Sequence, residues 1–214
     1  MMIIAIDGPA ASGKGTLGKK IAAHYGFAYL DTGALYRAVA RDTLAKGKDP
    51  ADPQAALISA QRLNPLTLDD PALRTPELGE AASLVAKHPE VRKSLHAYQR
   101  SYATAAHGAV IEGRDIGTVI FPEAPVKLFV TATPDERAQR RYLELKAAGN
   151  TISKEEVLDD IRRRDERDKN RAASPLRQAP DAYLLDTTNL DIDAAFKAAI
   201  DLIDAAMGRA GCSC

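Results

Sequence analysis

The run Ile3-Ile4-Ala5-Ile6-Asp7, followed at once by Gly8-Pro9-Ala10-Ala11-Ser12-Gly13-Lys14-Gly15-Thr16, constrains this chain more than any other feature. The short apolar run over 2–7 reads as a buried strand, and a helical pattern follows over 13–25. Between them Gly8 and Gly13 stand at the spacing of the Walker A phosphate-binding loop, with Lys14 next. Glycines let the backbone curl so that several N–H groups point at phosphate oxygens. The helix behind adds its positive N-terminal end. Lys14 is placed to reach β and γ phosphates as a point charge. The whole stretch Gly8, Pro9, Ala10, Ala11, Ser12, Gly13, Lys14, Gly15, Thr16 is therefore the expected ATP cradle. The strict pattern puts Ser or Thr directly after the lysine to hold Mg²⁺. Here Gly15 intervenes, so Mg²⁺ is expected to be held through ATP phosphates and water, with no side chain as direct ligand.

Further short apolar runs at 28–30, 109–112, 126–131 and 182–186 alternate with helical patterns at 33–46, 134–148 and 191–207. Strands alternating with helices predict an α/β, three-layer P-loop NTPase-like fold: a five-stranded parallel sheet with helices on both faces. Two excursions interrupt it. Residues 49–107 carry helical stretches at 53–63, 75–87 and 89–106, broken by prolines, and are expected to form a small acceptor-binding lobe. Residues 148–180 are rich in charge; a short lid is expected over about 142–160, with Gly149-Asn150 as a flexible point. The 214 residues suffice for one such domain.

Lys+Arg and Asp+Glu both number 29, so there is no basic excess to suggest a nucleic-acid partner. No apolar run reaches the ~20 residues that span a bilayer, and the short start lacks the basic region of a signal peptide. A cytoplasmic monomer is expected. The two cysteines, Cys212 and Cys214, sit at the extreme tail and are read as part of a frayed terminus rather than a metal or redox site. His24, His88, His96 and His107 show no metal-ligand spacing and are read as surface or satisfied residues.

The acceptor side follows from what stands after the second and third strands. Asp31-Thr32-Gly33-Ala34-Leu35-Tyr36-Arg37 and Glu112-Gly113-Arg114-Asp115-Ile116-Gly117-Thr118 both lie at carboxyl ends of parallel strands, where open α/β sheets bind ligands. Arg37 and Arg114 can clamp a dianionic phosphate with forked hydrogen bonds, and Thr32 and Asp115 can read a base edge. Asp31 and Asp115 also suit helix N-caps. A switch GTPase would need Asn-Lys-x-Asp to read guanine, and Lys169-Asn170 runs in the reverse order. A small-metabolite kinase of the shikimate type is the other rival.

Gly-Lys-Gly-Thr, Asp-Thr-Gly-Ala-Leu-Tyr-Arg, Gly-Arg-Asp-Ile-Gly-Thr-Val-Ile-Phe-Pro, and the run from Arg164-Asp165 through Asp168 and Arg171 to Pro175-Leu176 resemble the bacterial cytidylate kinases, from Ile3 to about Thr188. The resemblance implies transfer of the ATP γ-phosphoryl group to CMP or dCMP, with UMP as the alternative acceptor. It implies cytosine reading by Thr32, Arg92 and Asp115, phosphate clamping by Arg37, Arg114 and Arg171, and ribose or deoxyribose contacts from Ser83, Arg164 and Asp168. Many members carry a small antiparallel sheet in the acceptor lobe; here 64–74 is too short for three strands, which predicts a trimmed lobe.

Arg137 and Arg141 are four residues apart and share a helix face with no acid at the paired positions, so ATP phosphate is the expected counter-ion. Arg163 and Arg167 lie near Asp159, Asp160 and Glu166 and are read as solvated salt bridges. The expected catalytic set is Lys14, Arg114, Arg137, Arg141 and Arg171. An acceptor phosphate oxygen is already ionised at pH 7, so such a site needs alignment and positive charge rather than a strong base.

Overall fold

The computed structural model describes residues 1–210; Cys212 and Cys214 lie outside the described residues. Five strands, β1 (Met2–Asp7), β2 (Ala28–Asp31), β3 (Gly108–Gly113), β4 (Val126–Thr131) and β5 (Tyr183–Asp186), form one sheet in the order β2-β3-β1-β4-β5, every pair parallel. β1 occupies the centre, which is why its run is apolar at every position from Ile3 to Ile6. Its register sets Asp7 beside Gly113 of β3 and Phe129 of β4, so the loops after these strands open on one edge.

Helices cover both faces. On one, α1 (Lys14–Tyr25) and α8 (Ile192–Ala210) bury Leu17, Ile21 and Ile203 against Ile4, Ile6, Val110 and Leu128. On the other, Ala103 of α5 (Pro89–Thr104) joins Ile3, Ala5, Leu30, Ile111 and Phe121. The segment between β2 and β3 packs α2 (Thr32–Leu44), α3 (Pro53–Gln61), α4 (Pro76–Val85) and α5 around Leu35, Val39, Ala56, Val85, Val91 and Leu95. The prolines that interrupt this segment sit in first turns: Pro53, Pro76 and Pro89 begin helices, where a missing N–H costs nothing. In place of a small sheet, residues 64–74 form two 3₁₀ turns, Pro65–Thr67 and Pro71–Arg74, capped by Asn64 and Asp70.

After β4, α6 (Pro134–Ala147) and α7 (Lys154–Asn170) form an antiparallel pair around Ala138, Leu145, Val157 and Ile161. Within 142–160 only residues 148–153 are non-helical. Gly149 turns the chain at φ +81°, and Ser153 with Glu156 closes a capping box on α7. Arg171 lies just past α7 in extended backbone, whereas Arg164 and Asp168 lie within the helix.

Candidate active site

The phosphate loop takes the shape its glycines permit. Gly8 has φ +152°, and a Cβ there would lie 1.9 Å from the Val130 carbonyl oxygen; Gly13 has φ +86°. Residues 10–16 line a cavity of about 930 Å³; Gly8 and Pro9 shape the loop from outside it. Lys14 Nζ donates to the Pro9 carbonyl at 2.8 Å. Burial, with Arg114 nearby, pushes the Lys14 ammonium down to about 7, although Glu112, Asp31 and Asp7 oppose the shift.

The same cavity gathers Thr32, Arg37, Ser83, Arg92, Arg114, Asp115, Arg141, Arg164, Asp168 and Arg171 from six separate elements and their ends. Thr32 donates to the Glu112 carbonyl at 2.7 Å. Asp31 caps α2 through the Ala34 N–H and pairs with Arg37 at 2.7 Å. Burial pushes Asp31 up, but Arg37 outweighs it and holds the carboxyl below the usual range. Arg92 is buried against Asp115, over the Tyr36 ring, and Arg171 lies 3.7 Å from the same carboxylate. Arg114 Nε donates to Asp168 at 2.8 Å. Asp168 is half-buried; desolvation pushes its carboxyl up, yet Arg114, Arg171 and Arg164 together hold it below its ordinary value. Burial followed by Arg114 disfavours the Arg164 cation, and burial followed by Arg92 disfavours that of Arg171.

Several buried polar atoms here lack a hydrogen-bond partner within the protein: Ser12 Oγ, Arg37 Nε, Ser83 Oγ, Arg92 Nε, Glu112 Oε2 and one terminal nitrogen of Arg171. Burying such groups unpaired is costly, so a cluster of them along one cavity fits a polar, anionic ligand.

Arg137 corrects the expected catalytic set. It does not line the cavity. Its guanidinium meets both oxygens of Asp165, at 3.0 and 2.5 Å, and the carbonyls of Ala132 and Ala10, at 2.9 and 3.1 Å. The counter-ion that its own helix lacks comes from α7, so Arg137 fastens α6 and α7 to the phosphate loop. Arg141 does line the cavity, but an acid is within reach: Glu144 at 2.8 Å, with the Arg74 carbonyl at 3.0 Å. Arg163 pairs with Asp160 as expected, whereas Arg167 pairs with Glu80 of α4 rather than with its own helix. His96 is half-buried with Nε2 unpartnered, unlike the surface or satisfied residue it was read as.

A second cavity, of about 500 Å³, lies on the other side of the loop, lined by Gly13, Thr16, Arg140, Thr187, Leu190 and Ile192 among others. Arg140 binds the Thr187 carbonyl there at 2.6 Å. Thr187 follows directly on β5, and the strand-end rule already used for β2 and β3 points to it. Glu112 opens the motif at the end of β3. Burial and the nearby Asp31 push its carboxyl up to about 7.

The model of the family described as cytidylate kinase matches residues 4–205. The chain belongs to the cytidylate kinase family. It is accordingly a nucleoside monophosphate kinase, a phosphotransferase that works on nucleotides. A cytidylate kinase from Rhodopseudomonas palustris (strain ATCC BAA-98 / CGA009) is 57% identical over 210 residues, 98% of each chain. One from Nitrobacter winogradskyi is 54% identical over 98% of this chain and 99% of its own. A solved structure of an uncharacterized protein from Eubacterium ventriosum is similar in fold, with TM-score 0.55 and 18% identity over 95% of this chain and 98% of that one. Among the described residues, no helix is long and apolar enough to cross a membrane, and no group of three acidic, His or Cys side chains could hold a metal ion.

Proposed function

We propose that this member of the family transfers the γ-phosphoryl group of Mg·ATP to CMP or dCMP, giving ADP and CDP or dCDP. The observation that carries the reading is the set of unpartnered buried atoms around one cavity that also touches the phosphate loop. ATP phosphates lie on residues 8–16 with the adenosine end in the second cavity. The acceptor phosphate meets Arg37, Arg114 and Arg171, cytosine meets Thr32, Arg92 and Asp115, and the sugar meets Ser83, Arg164 and Asp168. Lys14, Arg114, Arg141 and Arg171 supply positive charge around the transferring group. Arg137 acts through the loop it holds.

The residues fit a hydrated divalent ion. Thr16 stands in the first turn of α1, and Glu112 keeps an unpartnered carboxylate oxygen close to Gly15. These two would meet the ion's water shell while the phosphates bind it directly. When bound, Mg²⁺ neutralises phosphate charge. The chain's own part is to align an already ionised acceptor oxygen, hold cations around the charge that spreads in transfer, and exclude water. The segment 49–107 serves as the acceptor lobe and 142–160 as the lid. The protein acts as a monomer in the cytoplasm, where both substrates reside.

A coupled ADP-release assay with Mg·ATP against equal concentrations of CMP, dCMP, UMP, AMP and GMP tests this, repeated on Asp115→Ala. Turnover with CMP and dCMP that falls in the variant supports the reaction and the base reader. A preference for UMP or AMP overturns the acceptor.

A further inference from the structure

A one-turn helix, Ile116–Ile120, follows β3 and carries the site residues Arg114 and Asp115 at its entrance. The first N–H groups of any helical turn have no partner inside it and need a cap. An aspartate just before the turn normally supplies one with its own side chain. Asp115 occupies that position and does not cap; its carboxylate faces Arg92 and Arg171 instead. The cap comes from the far side of a strand pair. Asp7, the last residue of β1, accepts the Ile116 N–H at 2.8 Å on Oδ1 and the Gly117 N–H at 2.7 Å on Oδ2. Asp7 is 4% exposed and does not line the substrate cavity.

We infer that Asp7 is a positioning residue for base discrimination: by capping the 116–120 turn in place of Asp115, it frees the Asp115 carboxylate to face the acceptor base. The idea rests on the acceptor assignment above. Without Asp7, two buried N–H groups lose their acceptors, and Asp115, at the N-cap position of the same turn, is the residue placed to supply one. If Asp115 swings back to cap its own turn, Arg92 and the base lose it together. The hydrogen bonds of the phosphate loop do not run through this contact, although the Asp7 charge also favours the Lys14 ammonium. It is held separately by Lys14 on the Pro9 carbonyl and Arg137 on the Ala10 carbonyl. Through its hydrogen bonds Asp7 therefore acts on the acceptor side, although it adjoins the donor loop in sequence.

The test compares the parent with Asp7→Asn, which keeps the volume but turns an N–H donor toward one of the two amides. Gly117→Ala serves as a second variant: its added Cβ would stand 3.1 Å from Lys127 Cδ and 3.4 Å from Asp7 Oδ2, crowding the Lys127 stem against the turn. Asp7→Asn should raise the KM for CMP about 10–100-fold, the worth of a hydrogen bond to a charged acceptor, and Gly117→Ala should raise it by less. In Gly117→Ala, which keeps the Asp7 charge beside Lys14, the KM for ATP should change less than about 2-fold, and in both variants the CMP preference over UMP should narrow. Simple destabilisation would not separate the two substrates. Equal changes in both KM values in Gly117→Ala, or an unchanged CMP-to-UMP ratio in whichever variant folds, overturn the inference. A parent enzyme that does not turn over CMP removes the acceptor assignment instead, so the two failures are distinguishable.

Discussion

Arg137 offers the sharpest separation between holding the fold and touching the reaction. Its side chain is 3% exposed and that of Asp165 is 10% exposed. Replacing Arg137 by Met strips a buried carboxylate of its counter-charge and leaves the carbonyls of Ala10 and Ala132 without a donor. Breaking a buried ion pair from one side costs about 3–5 kcal/mol. For a chain of this length each kcal/mol lowers Tm by about 2–4 °C, so Arg137→Met should melt on the order of 6–20 °C below the parent. The double variant Arg137→Met with Asp165→Leu removes both charges and should recover much of that loss, because an apolar replacement of the whole pair is close to neutral. Thermal unfolding followed by circular dichroism, with kinetics run well below every midpoint, measures both effects. A single variant that melts within about 2 °C of the parent while kcat falls about 10³-fold would refute the structural assignment, because an arginine aimed at the transferring phosphoryl group behaves in that way.

Two further outcomes follow from burial in the site. The Glu112 carboxyl, held up near 7 by burial and Asp31, stays protonated in the folded protein after its unfolded counterpart has ionised near 4.5. Folding stability therefore falls as pH rises between those values, and Glu112→Gln should gain on the parent by about 3 kcal/mol across that window, read as ΔG from urea unfolding at pH 4.5 and pH 7 without nucleotide; a constant difference would show that the buried carboxyl is not the cause. Gly8→Ala forces a Cβ to within 1.9 Å of the Val130 carbonyl, which belongs to β4 and cannot yield cheaply. ATP binding measured by calorimetry should weaken on the order of 100-fold, the factor that ~3 kcal/mol of backbone strain corresponds to, and an unchanged affinity would mean that the loop tolerates another path.

The strands were legible because a central parallel strand is buried on both faces and has no polar alternation to blur its ends. β1 and β4 fall on the expected residues, and β2, β3 and β5 differ by a residue at one end or both. The phosphate loop and the two strand-end motifs were legible for a related reason: their residues are consecutive, and one strand carries each to the same sheet edge. What escaped was pairing across elements. Arg137 was judged against acids on its own helix, where i, i+4 spacing can be counted, whereas its partner Asp165 is 28 residues away and is reached only because α6 and α7 fold back on each other. Arg167 escaped similarly, through Glu80 of α4. Asp7 shows the same limit from the opposite side. It was visible as the end of a strand, and the need for a cap after Asp115 was visible too, but capping by proximity in sequence assigns that duty to Asp115 itself. Only the β1–β3 register, Asp7 beside Gly113, puts a different carboxylate under the turn. Local spacing thus identifies residues capable of a role, and where two residues compete for one, the sheet decides between them.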